Sequence, residues 1–170
     1  MVPAHWRRPL AAVACAWLAL IGLFHGDWLA MAHQWWDSST YNHILVVPVI
    51  LGWLVAQRLP GLWRLQPAGW WPGLVLLGAA MMLWVLGAFA GFAQITQACA
   101  VAMLVASVLA LLGPKVGWGL AFPLFYMGFL VPFGDEAVPL LQTITARLTI
   151  GLVHLTHVPA SIDGVFIATP

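Results

Sequence analysis

Asp37, Tyr41 and His43 lie within seven residues of each other in the most polar segment of the chain. Together they could supply an acid, a hydroxyl and a titrating base. Catalytic groups usually converge from several elements, so one loop is weak evidence for an active site. The competing interpretation is a polar loop in which Ser38 or Ser39 caps the helix that follows.

The remaining candidates for chemistry are two histidines and two cysteines. His154 and His157 have the i, i+3 spacing of a metal-binding pair, but zinc usually takes three or four protein ligands and the sequence supplies no third. Cys15 and Cys99 lie in apolar runs, where a thiol usually packs as a small apolar group. No nucleotide-binding or serine-hydrolase motif is present. We therefore predict no metal site and no cofactor.

Composition places the chain in a membrane. Hydrophobic residues make up 63% of its 170 residues and charged residues only 6%, and the mean hydropathy is +0.96. Soluble domains carry about 25% charged residues. The net charge of +1 is too small to indicate a nucleic-acid partner. The partner that the composition predicts is the lipid bilayer.

Five apolar stretches approach the roughly 20 residues that a helix needs to cross the hydrocarbon. Only helices and closed barrels can pair every backbone group there, and no alternation typical of barrel strands is present. The predicted fold is therefore an all-α polytopic membrane protein with about five transmembrane helices between residues 10 and 133. The predicted spans are Leu10 to Ala32, Tyr41 to Gln57, Trp70 to Phe92, Ile95 to Leu112, and Val116 to Phe133.

The charges indicate an orientation for these helices. Basic residues are enriched in the cytoplasmic loops of membrane proteins. Five of the six basic residues fall in gaps that share one side, and the acidic residues fall where the opposite side would be. The amino terminus is therefore predicted to be cytoplasmic. The five bases are Arg7, Arg8, Arg58, Arg64 and Lys115.

Local signals predict further features of the spans. Pro48 and Pro123 fall inside the second and fifth predicted helices, where each should produce a kink. The short join from Gly91 to Ile95 predicts an antiparallel hairpin of the third and fourth helices. The polar residues near its tip, including Thr96 and Gln97, are interpreted as groups that hold helices together.

Residues 137 to 157 have a different pattern, in which leucines recur at helical spacing and polar residues cover much of the remaining surface. This predicts an amphipathic helix lying on the outer face of the membrane. Crossing the membrane is the alternative, but it would place Arg147 in the hydrocarbon.

The last ten residues predict an incomplete β-hairpin. Asp163 and Gly164 are typical of a turn, and residues 165 to 169 of a strand. A single strand without a partner is not stable alone, so the chain looks truncated. We expect residues 1 to 170 to form a single membrane domain.

A series of short motifs, in order, resembles the exosortase family, most closely its exosortase A subgroup. The resemblance covers the chain from about Trp35 onward. The motifs are Trp36-Asp-Ser-Ser-Thr-Tyr-Asn-His43, Leu45-Val-Val-Pro48, Trp53, Arg58, Gly113-Pro-Lys115, Phe122-Pro-Leu-Phe125, Leu130-Val-Pro-Phe133, Leu141-Gln142 and Ile162-Asp-Gly-Val-Phe-Ile167.

The resemblance implies a multi-pass enzyme of the bacterial inner membrane. Exosortases are regarded as cysteine peptidases or transpeptidases that process proteins with a carboxyl-terminal sorting tag, containing Pro-Glu-Pro and a membrane helix. Their activity accompanies exopolysaccharide production. The resemblance also makes Tyr41, His43, Pro48 and Pro132 candidate residues of a substrate groove.

The family's catalytic cysteine, arginine and histidine have no counterparts in these 170 residues. In the family the cysteine belongs to a Glu-Ala-Cys-Ser-Gly motif beyond the segment that ends at Ile167. Cys15, Cys99 and Arg147 do not match the catalytic positions, and neither do the two histidines near the carboxyl end. We therefore predict no catalytic residue in this chain and expect the chain alone to be inactive.

Two other functions are compatible with the sequence. A non-enzymatic membrane scaffold or subunit would dock a partner that supplies the chemistry. A small transporter would be expected to show internal repeats with matching broken helices, and none is found. The oligomeric state is left open.

Overall fold

A computed structural model describes residues 2–133, 138–155, 161–163 and 166–168. The chain divides into two compact units, Met1–Pro132 and Phe133–Pro170.

The first unit is built of helices. Two short 3-10 helices, Asn42–Val46 and Met127–Leu130, lie among seven α-helices. The α-helices are α1 Ala4–Leu23, α2 His25–Asp37, α3 Val47–Leu62, α4 Trp71–Ala90, α5 Ala93–Leu112, α6 Pro114–Gly119 and α7 Ala121–Tyr126.

Within the described residues, four helices are long and apolar enough to cross a membrane. They are Ala4–Leu23, Asn42–Leu62, Trp71–Ala90 and Ala93–Leu112. Each has 20 or 21 residues, which corresponds to about 30 Å of helix and matches the hydrocarbon thickness. The prediction of a multi-pass helical membrane protein is confirmed.

The prediction of a fifth span over residues 116 to 133 is not confirmed. Helix α6 ends at Gly119, the chain leaves the helical conformation at Leu120, and α7 then continues into the second 3-10 helix as far as Leu130. Gly119 and Pro123 flank the break at Leu120, and these two residue types are the poorest helix formers. Hydropathy alone does not register such breaks.

Two further predictions about helix boundaries are wrong. The first span begins at Ala4 and ends at Leu23, and Phe24 leaves the helical conformation before α2 begins at His25. Pro48 does not kink a helix, because it lies in the first turn of α3, where a missing N–H is tolerated. Pro123 likewise lies in the first turn of α7.

Helix α5 is the centre of the first unit. Twelve of its residues are buried, whereas α1, α3 and α4 bury two each. Many of the buried residues are small, including Ala100, Ala106, Ser107 and Ala110. Small side chains let neighbouring helices approach closely in the absence of a hydrophobic driving force. Helices α1, α2, α4 and α6 all pack on α5.

Helices α4 and α5 form the predicted antiparallel hairpin. Gly91 joins them in the left-handed conformation, with φ of 73°. At the other end of the pair, Trp70 N–H donates to the Ala110 carbonyl at 2.8 Å. A Cβ on Gly73 would lie 2.5 Å from the Cα and nitrogen of Ala110. The helix backbones therefore meet at Gly73.

One end of the first unit collects the basic residues and is called the basic end. There Trp6 Nε1 donates to the Leu65 carbonyl at 3.1 Å, which ties the start of α1 to the segment after α3. Ala68 N–H donates to the Leu112 carbonyl at 3.2 Å, which ties the same segment to the end of α5. The five predicted cytoplasmic bases, Arg7, Arg8, Arg58, Arg64 and Lys115, all lie on or beside these connections. The opposite end, with the α4–α5 turn, is called the hairpin end.

The second unit consists of α8, Val138–Leu155, and two antiparallel strands, β1 Ser161–Asp163 and β2 Phe166–Ala168. Ile162 pairs with Ile167 at the centre of the strand pair. The segment expected to be an unpaired strand therefore pairs with Ser161–Asp163. Residues 137, 156 and 157 of the predicted amphipathic helix lie outside the described residues. Large apolar side chains, among them Leu141, Leu148 and Leu152, are exposed along α8.

Substituting Gly73 should weaken the α4–α5 contact. We expect Gly73→Ala to lower the free energy of unfolding in detergent by about 1–3 kcal/mol, because its methyl group meets backbone atoms that cannot rotate away. Gly78→Ala is the matched control in the same helix, since a Cβ there meets no atom within 4 Å. It should leave stability unchanged or raise it by up to about 1 kcal/mol through helix propensity. Equal effects of the two variants would contradict the close packing at Gly73.

Candidate functional site

The polar loop lies at the hairpin end, between α2 and the 3-10 helix that precedes α3. Helix α2 ends when Ser38 N–H donates to the Gln34 carbonyl at 3.2 Å. Tyr41 N–H then donates to the Ser38 carbonyl at 3.1 Å. Neither serine caps the following helix through its side chain, so that prediction is wrong.

Asn42 fastens this loop to the end of α2. With its amide oriented so that the nitrogen faces carbonyl oxygens, it donates to Trp35 at 2.7 Å and to Ser38 at 2.8 Å. These carbonyls belong to the last turn of a helix, which lacks intrahelical donors. Sequence reasoning did not single out Asn42, although asparagine after a helix is a recognised capping signal.

The structure does not bring the three polar candidates of the loop together as a catalytic group. The side chain of His43 is exposed, and its Nδ1 lies 3.0 Å from the Thr40 carbonyl. Asp37 is 71% exposed and lies 3.7 Å from His33 Nδ1, one helical turn earlier. Tyr41 is instead buried, with 7% of its surface exposed. Asp37 and His43 thus have partners other than each other.

Tyr41 and the region of Pro132 belong to one apolar cluster. Tyr41, Ile44, Leu130 and Val131 are all buried in it, and Pro132 is buried as well. Trp35 Nε1 donates to the Leu130 carbonyl at 2.9 Å and so joins α2 to the end of the second 3-10 helix. The candidate residues Tyr41 and Pro132 are therefore both buried at the hairpin end.

Pro48 lines an apolar groove of about 510 Å³. The groove runs between α1, α3, α5 and α7, with α2 at one end. Representative lining residues are Leu10, Trp17, Gly52, Val55, Leu104 and Leu124. The polar atom of the Trp17 side chain is Nε1. It points toward α5, 3.2 Å from Ser107 Oγ and 3.3 Å from the Leu104 carbonyl oxygen. The groove can therefore bind apolar groups without leaving that donor unpaired.

Asp27 forms a polar contact between helices that sequence reasoning missed. Its two carboxylate oxygens accept hydrogen bonds from Trp84 Nε1 at 2.8 Å and Thr96 Oγ1 at 2.6 Å. The interpretation of Thr96 as a group that holds helices together is confirmed. Phe24, at the break between α1 and α2, packs edge-on against Trp84 with ring centroids 4.8 Å apart. The ring contact at the break and the polar contact of Asp27 therefore both hold the α1–α2 junction against α4 at the hairpin end.

The cysteines lie within spanning helices. Cys15 is on the exposed surface of α1 and Cys99 is buried in α5. Among the described residues, no three His, Cys, Asp or Glu side chains are grouped so that they could hold a metal ion. His157 lies outside those residues.

Four apolar spanning helices, with basic residues at one end, define a multi-pass membrane protein. Residues 35–170 match the family model of transmembrane exosortases. The match covers most of the chain, and the chain therefore belongs to the exosortase family, as its motifs indicated. Searches of curated proteins and of solved structures find no match to it.

Replacing Asp27 should destabilise the hairpin end. In Asp27→Leu the Trp84 N–H loses its acceptor, while Thr96 keeps the Ala93 carbonyl at 2.8 Å. A fully buried unpaired donor corresponds to about 1–3 kcal/mol, so the partly buried Trp84 N–H should cost at most about that much. Asp27→Asn retains a carbonyl oxygen for Trp84 and should lose less.

The measurement is the free energy of unfolding in mixed micelles, with Asp37→Leu as the exposed control. We expect the order of stability to be wild type, then Asp27→Asn, then Asp27→Leu. If Asp27→Leu were no less stable than Asp37→Leu, the contact would not hold the helices together.

Proposed function

We propose that this chain acts in the membrane-embedded processing of proteins carrying a carboxyl-terminal sorting tag by a cysteine peptidase or transpeptidase. The tag contains Pro-Glu-Pro and is followed by a membrane helix, and processing accompanies exopolysaccharide export. The protein lies in the bacterial inner membrane with its amino terminus in the cytoplasm. The observation that carries the proposal is the family match over residues 35–170.

The charge distribution supports the orientation in this proposal. Five basic residues share the basic end, which corresponds to the cytoplasmic side. The hairpin end then faces outward, with the exposed His33, Asp37 and His43. A tag that emerges from the outer side of the bilayer would meet this polar end first.

The features of the hairpin end suit recognition rather than bond cleavage. Asn42 and Trp35 fix the loop to α2 and to the second 3-10 helix. A loop held this way presents His43 at little further entropic cost on binding. The candidate groove residues Tyr41, Pro48 and Pro132 would act by shaping the surface beneath the loop.

The chemistry of such a peptidase requires a nucleophile at the membrane surface. A thiolate attacks the scissile carbonyl, a histidine transfers the proton to the leaving amine, and an arginine stabilises the oxyanion. Cys15 and Cys99 lie inside spanning helices and do not meet this requirement. The role proposed for this chain is therefore to hold the tag, and its catalytic set is not among these residues.

Tag recognition can be tested by disulfide trapping. The chain, carrying Ser39→Cys in a Cys15→Ala, Cys99→Ala background, is co-expressed with a membrane-anchored reporter that has one cysteine beside its tag. We expect oxidation to link the two proteins when the tag is Pro-Glu-Pro and not when it is Ala-Ala-Ala. Gln66→Cys, at the basic end, is the matched control and should give no link.

The same experiment tests the proposed absence of catalysis. The reporter should remain full length with the wild-type chain and with the cysteine-free chain. Linking that ignores the tag sequence would contradict the proposed recognition. Cleavage that disappears in Cys15→Ala or Cys99→Ala would contradict the assignment of both cysteines as packing residues.

A further inference from the structure

The apolar groove runs along most of the length of the first unit. Along α1 its lining spans Leu10 to Ile21, a rise of about 16 Å. Leu112 lines it at the basic end, and Pro48 and Leu130 line it at the hairpin end. A chain that enters at the basic end can therefore extend toward the hairpin end.

The lining of this groove excludes water. None of its lining residues is charged, and cavities lined only by apolar side chains stay dry. The groove lies between spanning helices, so the molecules that reach it are those of the membrane. Its natural contents are hydrocarbon chains.

A lipid chain fits the groove. The groove has a volume of about 510 Å³. A single acyl chain is narrow and can lie along its whole length.

Three bases follow or precede lining residues on the side of the basic end. Arg7, Arg58 and Lys115 each lie three residues from a lining residue, namely Leu10, Val55 and Leu112 respectively. On α1 and α3 that spacing places the base on the same helix face as the lining residue. All three bases are exposed.

These bases have no acidic partner within the described part of the chain. The ion pair found there joins His33 to Asp37, which belongs to the hairpin end. Long basic side chains at helix ends reach toward the headgroup region, and basic pockets between spanning helices bind anionic headgroups. The charge at this end therefore complements a lipid phosphate.

We propose that the groove is a binding site for an anionic phospholipid, with one acyl chain between α1, α3 and α5 and its phosphate among Arg7, Arg58 and Lys115. The bound lipid fills a space that the helices leave open and holds α1 and α3 at fixed positions beside α5. The site does not depend on peptidase activity, so it can be tested independently of the proposed function.

The acyl-chain part of the site can be tested by filling the groove. The purified full chain in neutral detergent is labelled with phosphatidylglycerol that carries a diazirine near the end of one acyl chain. We expect labelled residues within the groove, competition by unlabelled phosphatidylglycerol, and loss of most labelling in Gly52→Leu. A Cβ at Gly52 meets no atom within 4 Å, so the leucine can enter the groove without displacing backbone.

Gly78→Leu is the matched control. It is also an unobstructed glycine in a spanning helix but does not line the groove. Its labelling should equal that of the wild type. Unchanged labelling in Gly52→Leu would overturn the proposal. A change in the oligomeric mass of Gly52→Leu without a change in its labelling would also overturn it, because the groove would then be a contact with a second copy of the chain.

The headgroup part of the site is tested by competition. Arg7→Gln, Arg58→Gln and Lys115→Gln should each weaken phosphatidylglycerol binding about fivefold. Arg64→Gln removes the same charge from the loop after α3 and should have little effect. Phosphatidylcholine should compete poorly with the labelled lipid. Equal competition by the two lipids, or equal effects of all four substitutions, would overturn the assignment of the phosphate site.

Discussion

The hydrocarbon of the bilayer accepts neither charges nor unpaired backbone groups, and the first unit is organised by this constraint. Its spanning segments are helices, and its basic residues are confined to one end. Asp27, in the first turn of α2, accepts hydrogen bonds from two neighbouring helices. Close packing and a few interhelical hydrogen bonds must then hold the spans together, since lipid chains are as apolar as the side chains they surround.

Helix α5 meets that requirement by presenting small residues to its neighbours. Gly73 of α4 meets the backbone of α5, while α1 is fixed to it through Trp17. Helix α3 approaches less closely in its middle part, where Gly52 leaves the apolar groove open. The same arrangement thus gives a rigid centre and a lipid-accessible site, and it supports the polar loop at the hairpin end.

Hydropathy and local signals predicted the α4–α5 hairpin to within two residues at each helix end, because these helices have no internal breaks. They failed at Phe24 and Leu120, where short helices replace a continuous span. The break at Phe24 is stabilised by the contacts of Asp27 and Trp84, which lie 57 residues apart. The candidate residue Pro48 was identified from a family motif, whereas the groove it lines depends on tertiary packing and could not be predicted.

The measurement that tests this account most directly is the accessibility of each end of the first unit in intact cells. Ser39→Cys and Gln66→Cys, each in the Cys15→Ala, Cys99→Ala background, are treated with a membrane-impermeant maleimide before and after permeabilisation. The account predicts that Ser39→Cys reacts in intact cells and that Gln66→Cys reacts only after permeabilisation. Labelling of Gln66→Cys in intact cells, with protection of Ser39→Cys, would contradict the placement of the basic end in the cytoplasm.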